Sequence, residues 1–399
     1  MIPYGEPRFH TIMVPYRVLC YHIVNVLLWY HKVRLWCTVK RIYTMTLKLI
    51  LWYPHDSMDH GTECYTIVPY SLLTHHCTIT YDSTKIINYV NSQKSLWTAG
   101  NPKISKDYML KTLTTDPETV GFRNLGPTFY SKNIFSPENL DDSNFFDARE
   151  RWPECSSIPI INDISDCKSS WAFSAAESMS DRLCINSGGM INTVLSAQEL
   201  LSCCTGVFSC GEGCAGGNVF KAWQYWQKHG LPTGGSYESQ FGCKPYSISP
   251  CDTVIGNITF PGCLNSTVQT PSCEKKCKSG YPVELDKDRH YGVSVDQLPN
   301  RQIEIQSDVM LNGPISATME VYDDFLQYTT GIYVHLTGNK QGHLSVRILG
   351  WGMYEGVPYW LLANSWGKQW GENGTFRVLR GVNECGLEAN CVSGMPRLG

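Results

Sequence analysis

Cysteine density is the feature that most limits what this chain can become. Fourteen of its eighteen cysteines lie between Cys155 and Cys391, nine of them between Cys203 and Cys277. Thiols packed that closely persist either as a disulfide framework made in an oxidising compartment or as metal ligands. Zinc-like spacings occur at Cys210 with Cys214 and at Cys273 with Cys277, but the repeated short knuckles of a zinc ribbon are missing. The same cluster carries N-linked acceptor sequences at Asn257 (N-I-T) and Asn265 (N-S-T). The expectation is therefore disulfides, no metal and no cofactor, with glycans at Asn257 and Asn265. A formal charge of -3 gives no long-range field, so nucleic acid is not an expected partner.

Composition divides the chain. Residues 1–50 hold seven Lys or Arg and one acidic residue, and basic side chains cut the apolar runs well short of the roughly 20 residues a membrane span needs. No tidy signal peptide is visible either, so residues 1–83 are left as an extension without an assigned fold. From about Lys85 to Asp142 the sequence is polar and punctuated by Pro102, Pro117, Pro127 and Pro137, which suits an extended segment with little core of its own. Beyond Phe145 it becomes dense in cysteine, tryptophan and glycine. There, Trp171–Asn186 and Val219–Lys228 carry helical apolar spacings. The segments 344–351, 357–366 and 375–381 are short, partly alternating and separated by glycine, as in antiparallel strands. Helices followed by strands predict an α+β fold.

Ser170 falls at the head of the first of these helices, where the positive end of the helix dipole favours an anion. Thiol proteases place a cysteine thiolate at such a position, paired with a histidine from a distant strand and oriented by an asparagine. Their signature C-G-[SA]-C-[WY] stands here as Cys167, Lys168, Ser169, Ser170, Trp171. A hydroxyl is much harder to ionise than a thiol, and Ser170 also suits a plain helix N-cap.

With these residues in view, the chain resembles cathepsin B-like cysteine peptidases of the papain family over roughly residues 84–399. The motifs run in order: NYVN (88–91), WTAG (97–100), FDARERWPEC (146–155), SCCTG (202–206), GCAGG (213–217), RILGWG (347–352), PYWLLANSWGKQWGENG (358–374) and CGLE (385–388). The resemblance implies a papain-like two-lobed fold, with a helical left lobe and a β-barrel-like right lobe. It places a propeptide-like segment at 84–144 and the peptidase domain at 145–399. It also implies the pairs Cys155 with Cys184, Cys167 with Cys214, Cys203 with Cys273, Cys204 with Cys210, Cys243 with Cys277, and Cys251 with Cys263. Cys391 is left over.

Carried over position by position, the same resemblance implies an altered site. Ser170 stands for the nucleophile and Ile164 for the oxyanion glutamine. Counting back without gaps from Arg347 puts Leu344 at the base. His343 is one residue away and, by strand alternation, is expected on the opposite face as a surface histidine unless a bulge re-aims it. Asn364, the orienting residue, is present with Trp366 beside it. Gly216 and Gly217 match the glycines that pair with an extended peptide, Lys168 replaces a glycine at the cleft edge, and Asn390 replaces an acid at the floor of the specificity pocket. Thr253 and Val254 stand where an occluding loop has its two histidines.

These substitutions predict an inactive, monomeric homologue that is secreted or lysosomal and binds peptides, its own propeptide or cystatin-type inhibitors. Two alternatives follow from the same residues: a serine-type endopeptidase using Ser170 with a displaced His343, or a secreted structural protein in which the cleft is idle.

Overall fold

A computed structural model describes residues 83–123, 145–205, 209–251, 254–255, 258–263 and 268–398, together with the backbone of three strands nearer the N-terminus. Those strands, β1 (Arg34–Val39), β2 (Met45–Ile50) and β3 (Glu63–Ile67), form an antiparallel sheet in the order β1-β2-β3. They belong to a unit of residues Met1–Thr80, distinct from Tyr81–Gly399. Sequence reading gave this part no fold because Lys and Arg interrupt its apolar runs. On a strand a polar residue at every second position is compatible with pairing, as the alternation of Met45, Leu47 and Leu49 with Thr46 and Lys48 illustrates.

In the second unit α1 (Ser83–Ser92), β4 (Trp97–Ala99), α2 (Lys106–Thr112) and α3 (Pro117–Val120) come first. The polar composition predicted little core here, yet Ile86, Val90, Tyr108 and Met109 are fully buried. After residue 145 follow β5 (Phe146–Asp147), α4 (Ala148–Arg151), α5 (Ser170–Asn186), α6 (Ala197–Cys203), α7 (Val219–His229), a β6–β7 hairpin (Val254–Ile255, Ile258–Thr259), β8 (Asp296–Gln297) and α8 (Gln302–Asn312). The strand-rich part then holds β9 (Ile315–Tyr322), β10 (Tyr328–Tyr333), β11 (Lys340–Tyr354), β12 (Val357–Ala363), β13 (Thr375–Leu379) and β14 (Cys391–Ser393).

The main sheet runs β4-β10-β13-β12-β11-β9-β14-β8, with β5 also pairing β11. The α+β arrangement matches the expectation, but the sheet is an open path. Among the described residues no strand closes that path. The long strand β11 is shared along its length: residues 340–346 pair β9, 347–354 pair β12 with a register shift between Ile348 and Gly350, and Gly350 and Trp351 also pair β5. Gly350 is needed there, since a Cβ on it would sit 1.9 Å from the carbonyl oxygen of Phe146 on β5.

Helix α5 is buried from Ser170 through Cys184, so its polar side chains must find partners inside the protein. Asp181 takes a hydrogen bond from Ser157 (2.6 Å) and an ion pair from Arg347 of β11 (2.6 Å). Glu177 accepts from Asn162 (2.6 Å) and lies 3.5 Å from the Arg347 guanidinium. Arg182 donates to Pro314 O and Gly313 O and pairs with Asp308. Breaking such a buried pair from one side typically costs about 3–5 kcal/mol.

All six disulfides implied by the family resemblance are formed: 155–184, 167–214, 203–273, 204–210, 243–277 and 251–263. The zinc-like spacings are thereby absorbed, because Cys210, Cys214, Cys273 and Cys277 each belong to a different bridge. Cys391, for which the sequence offered no partner, is a buried free thiol, as is Cys385.

Burial raises the pKa of Glu177 and of Asp181 above the usual carboxylate range, against the opposing pull of Arg347. A carboxyl raised in the folded state contributes stability that is complete below its unfolded pKa and is lost as pH rises through its folded pKa. Melting temperature measured against pH is therefore expected to fall as pH rises above the ordinary carboxylate range. Glu177→Gln, which can still accept from Asn162, should flatten that slope; an unchanged slope would show that the pair does not control it.

Candidate active-site cleft

Ser170 is the first residue of α5, and the cap position before it belongs to Ser169 (φ -97°, ψ 10°), which makes no side-chain capping bond. The capping role expected for Ser170 is therefore not the one it plays. Its Oγ accepts the backbone N–H of Ser345 on β11 (3.2 Å). Ser169 instead meets the Tyr246 hydroxyl (3.0 Å), which also bonds the carbonyl of Ile164 (3.0 Å).

The gapless count at the base position is not matched by the geometry. Leu344 is fully buried on the pleat face of Val346 and Ile348, and it is the face of His343, Ser345 and Arg347 that looks at α5, because Arg347 reaches Asp181 there. His343, expected at the surface, is only 1% exposed. Its ring lies 4.7 Å from Phe122, its Nδ1 is 3.2 Å from the Thr114 carbonyl, and its Nε2 has no hydrogen-bond partner. Burial first, and then the charge of Lys340, lower its pKa, which favours the neutral imidazole. Ser170 and His343 are thus not hydrogen-bonded to one another.

The other positions are placed as follows. Ile164 is fully buried and tied through its backbone, donating to Ser365 O (3.1 Å); its side chain offers no donor. The next residue, Ser165, adopts φ +59°, unusual for a side chain other than glycine. Asn364 is buried, but its Oδ1 accepts from Ser365 N–H (2.7 Å) and its Nδ2 has no partner, so it does not orient His343. Trp366 donates to Thr112 (2.8 Å). Lys168 is half-buried with its backbone N–H on Cys214 O (3.1 Å). Thr253, Asn257 and Asn265 lie outside the described residues, and of Val254 only the backbone is described.

The segment 83–123 runs along this cleft as a strap, which periodicity alone gave no means of locating. Trp97 donates to Val334 O (2.9 Å), and Tyr108 donates to Asp163 (2.7 Å). Thr114 pairs with His343 through both backbone groups (3.1 and 2.8 Å). Strand-like pairing is therefore made at His343. Gly216 contributes clearance instead, since a Cβ on it would meet the Thr114 side chain at 2.7 Å; Gly217 makes room for Trp171 in the same way (2.4 Å). At the far end Asn390 grips the main chain of Arg123, accepting its N–H (2.6 Å) and donating to its carbonyl (3.0 Å). The Arg123 guanidinium donates to the carbonyls of Leu298 (3.2 Å) and Ala389. The Arg123 side chain is thus held by main-chain carbonyl oxygens.

Among the described residues one grouping has metal-type ligands, Asp166 with Cys251 and Cys263, and both its sulfurs are bonded to each other. Such a set holds no metal.

Comparison with known proteins adds the following. The sequence profile described as papain family cysteine protease matches residues 142–395. Cathepsin B-like cysteine proteinase 5 of Caenorhabditis elegans is 48% identical over 316 residues, covering 78% of this chain and 90% of that protein. Cathepsin B-like cysteine proteinase 4 of the same organism is 46% identical over 319 residues, covering 78% and 92%. Among solved structures, proCathepsin B S9 from Trypanosoma congolense superposes with TM-score 0.64 at 29% identity over 80% of this chain and 99% of its own. Digestive procathepsin L 3 of Tenebrio molitor larval midgut, at 20% identity and TM-score 0.54 over 79% and 89%, shares the fold.

Asn390→Ala removes both bonds to Arg123, worth about 1–2 kcal/mol net. Hydrogen exchange at residues 122–123 should then accelerate about tenfold while protection in α5 is unchanged. Equal exchange in both proteins would show that Asn390 does not hold the strap.

Proposed function

This chain belongs to the papain family of cysteine proteases as a cathepsin B-like homologue, and from that premise we propose that it is a catalytically silent member whose cleft is kept filled by its own propeptide-like strap. The observation that carries the reading is the hydrogen bonding of Ser170: its hydroxyl accepts from the Ser345 backbone and has no bond to His343. A serine needs a base to act as a nucleophile. Ile164 supplies no oxyanion donor, and Asn364 is turned to its own neighbour's backbone. In a serine protease, losing nucleophile or base alone lowers turnover by about 10⁶.

With the strap displaced, such a cleft would take an extended peptide or a cystatin-type inhibitor without cleaving it. Six disulfides favour an oxidising compartment, so the reading includes secretion or lysosomal residence. No helix among the described residues is long and apolar enough to cross a membrane. A second reading, a serine-type hydrolase, is favoured by one observation, the Nε2 of His343, which is buried and has no hydrogen-bond partner while burial lowers the pKa of the ring.

Activity measurements separate the two. The protein, cut between residues 123 and 145 and freed of its strap, is expected to show no peptide turnover and no labelling by a fluorophosphonate probe. Labelling at Ser170 that disappears in His343→Ala would establish the second reading. Ser170→Cys with Ile164→Gln is expected to gain labelling by a thiol-directed peptide probe, lost again on His343→Ala; absence of that gain would mean that more than the nucleophile and the oxyanion donor has been altered.

A further inference from the structure

Upstream of Ser170 in the chain, a buried carboxyl stands against a disulfide. Asp166, 7% exposed, immediately precedes Cys167. One of its carboxylate oxygens and the sulfurs of Cys251 and Cys263 all lie within 4.8 Å of one another. Ser165 Oγ sits 3.4 Å from Cys251 Sγ, 2.8 Å from the Ser249 carbonyl and 3.5 Å from the Asp166 carboxylate. Within the bridge Cys251 is buried and Cys263 is half-buried, so the two sulfurs differ in access.

Opening a disulfide requires an attacking thiolate at the accessible sulfur and a leaving thiolate at the other, and the leaving group departs faster when a proton reaches it. We propose that the Cys251–Cys263 bridge is a thiol-exchange site for low-molecular-weight thiols, in which the Asp166 carboxyl delivers the proton to the departing Cys251 sulfur. A thiolate RS⁻ attacks Cys263 Sγ, the Cys251–Cys263 bond breaks, and a mixed disulfide forms at Cys263. Cys251 leaves with its electron pair and takes the proton of Asp166, which becomes a carboxylate. A second RS⁻ attacks the small-molecule sulfur of the mixed disulfide, releasing RSSR and the Cys263 thiolate, which takes a proton from water. The two small thiols are oxidised and the bridge is reduced.

Burial supports a protonated carboxyl at Asp166 by raising its pKa. The groups that face it are Lys111 on α2, whose charge opposes that shift, with Tyr108, Tyr246 and Ser165 around it and Asp163 behind the two tyrosines. The bridge Cys203–Cys273 is a built-in contrast: both cysteines are half-buried, and Cys203 Sγ lies 3.6 Å from Lys244 Nζ, an ammonium rather than a carboxyl.

The test reduces the full chain with glutathione at a series of pH values, traps free thiols by alkylation and assigns them by peptide mass mapping. Each rate is divided by the thiolate concentration at that pH. For Cys251–Cys263 the normalised rate is expected to rise about tenfold from pH 7 to pH 5, while that for Cys203–Cys273 stays level. Asp166→Asn should remove the rise at Cys251–Cys263 and leave Cys203–Cys273 as it was. A level profile for Cys251–Cys263 in the wild type, or a rise that survives Asp166→Asn, overturns the proposal. Should Asp166→Asn fail to fold, Asp166→Glu, which restores a carboxyl on a longer arm, must keep a rise; its loss there counts against the proposal as well.

Discussion

The ion pair between Arg347 and Asp181 is the contact from which the geometry of the cleft follows. It crosses from β11 to α5 with both side chains inaccessible to water, and Glu177 shares the same guanidinium. Because Arg347 must face the helix, so must the residues at even spacing from it, Ser345 and His343. The odd-spaced Leu344, Val346 and Ile348 are driven into the apolar side of the sheet, where they are buried. One buried charge pair thus decides which residue of the strand can approach Ser170. It also joins the helical half to the strand half, so the alignment of nucleophile and base positions is inherited from a core contact rather than set locally.

The strap is held in a different way. Its bonds are spread over the cleft: Trp97 to a carbonyl, Tyr108 to Asp163, Thr112 to Trp366, Thr114 to both backbone groups of His343, and Arg123 to Asn390. No single bond of this series carries the attachment. The edge of β11 upstream of its pairing with β12 is left open for it, and the strap closes part of that edge. Beneath it, Nε2 of His343, Nδ2 of Asn364 and Oγ of Ser365 remain without partners. Buried polar atoms in that condition are costly.

Much of the architecture was legible in the sequence. Helical spacing gave α5 and α7 to within a residue or two, and the glycine-separated segments gave β11, β12 and β13. The six disulfide pairs followed from family resemblance, which spacing alone could not have supplied. Alternation along β11 held, but the face carrying His343 is buried rather than at the surface. Residues 343–348 alternate polar and apolar, but both faces are covered, so the pattern does not say that the face of His343, Ser345 and Arg347 is the one turned to α5, and the deciding contact, Arg347 with Asp181, spans 166 residues. Ser169 and Ser170 were likewise indistinguishable as caps until the backbone was seen. The strap's polar composition concealed the few apolar residues, Ile86, Val90 and Met109, by which it docks.

The grip of Asn390 on residue 123 has a consequence for what the cleft can recognise. A side-chain amide that accepts from an N–H and donates to the carbonyl of the same residue is reading a peptide unit, and every amino acid except proline presents those two groups. Such a contact fixes where a chain lies and which way it runs while remaining indifferent to its letters. The Asn390 contact therefore sets register, and proline at position 123 is the one residue it refuses; what depends on the side chain there is left to the carbonyls of Leu298 and Ala389.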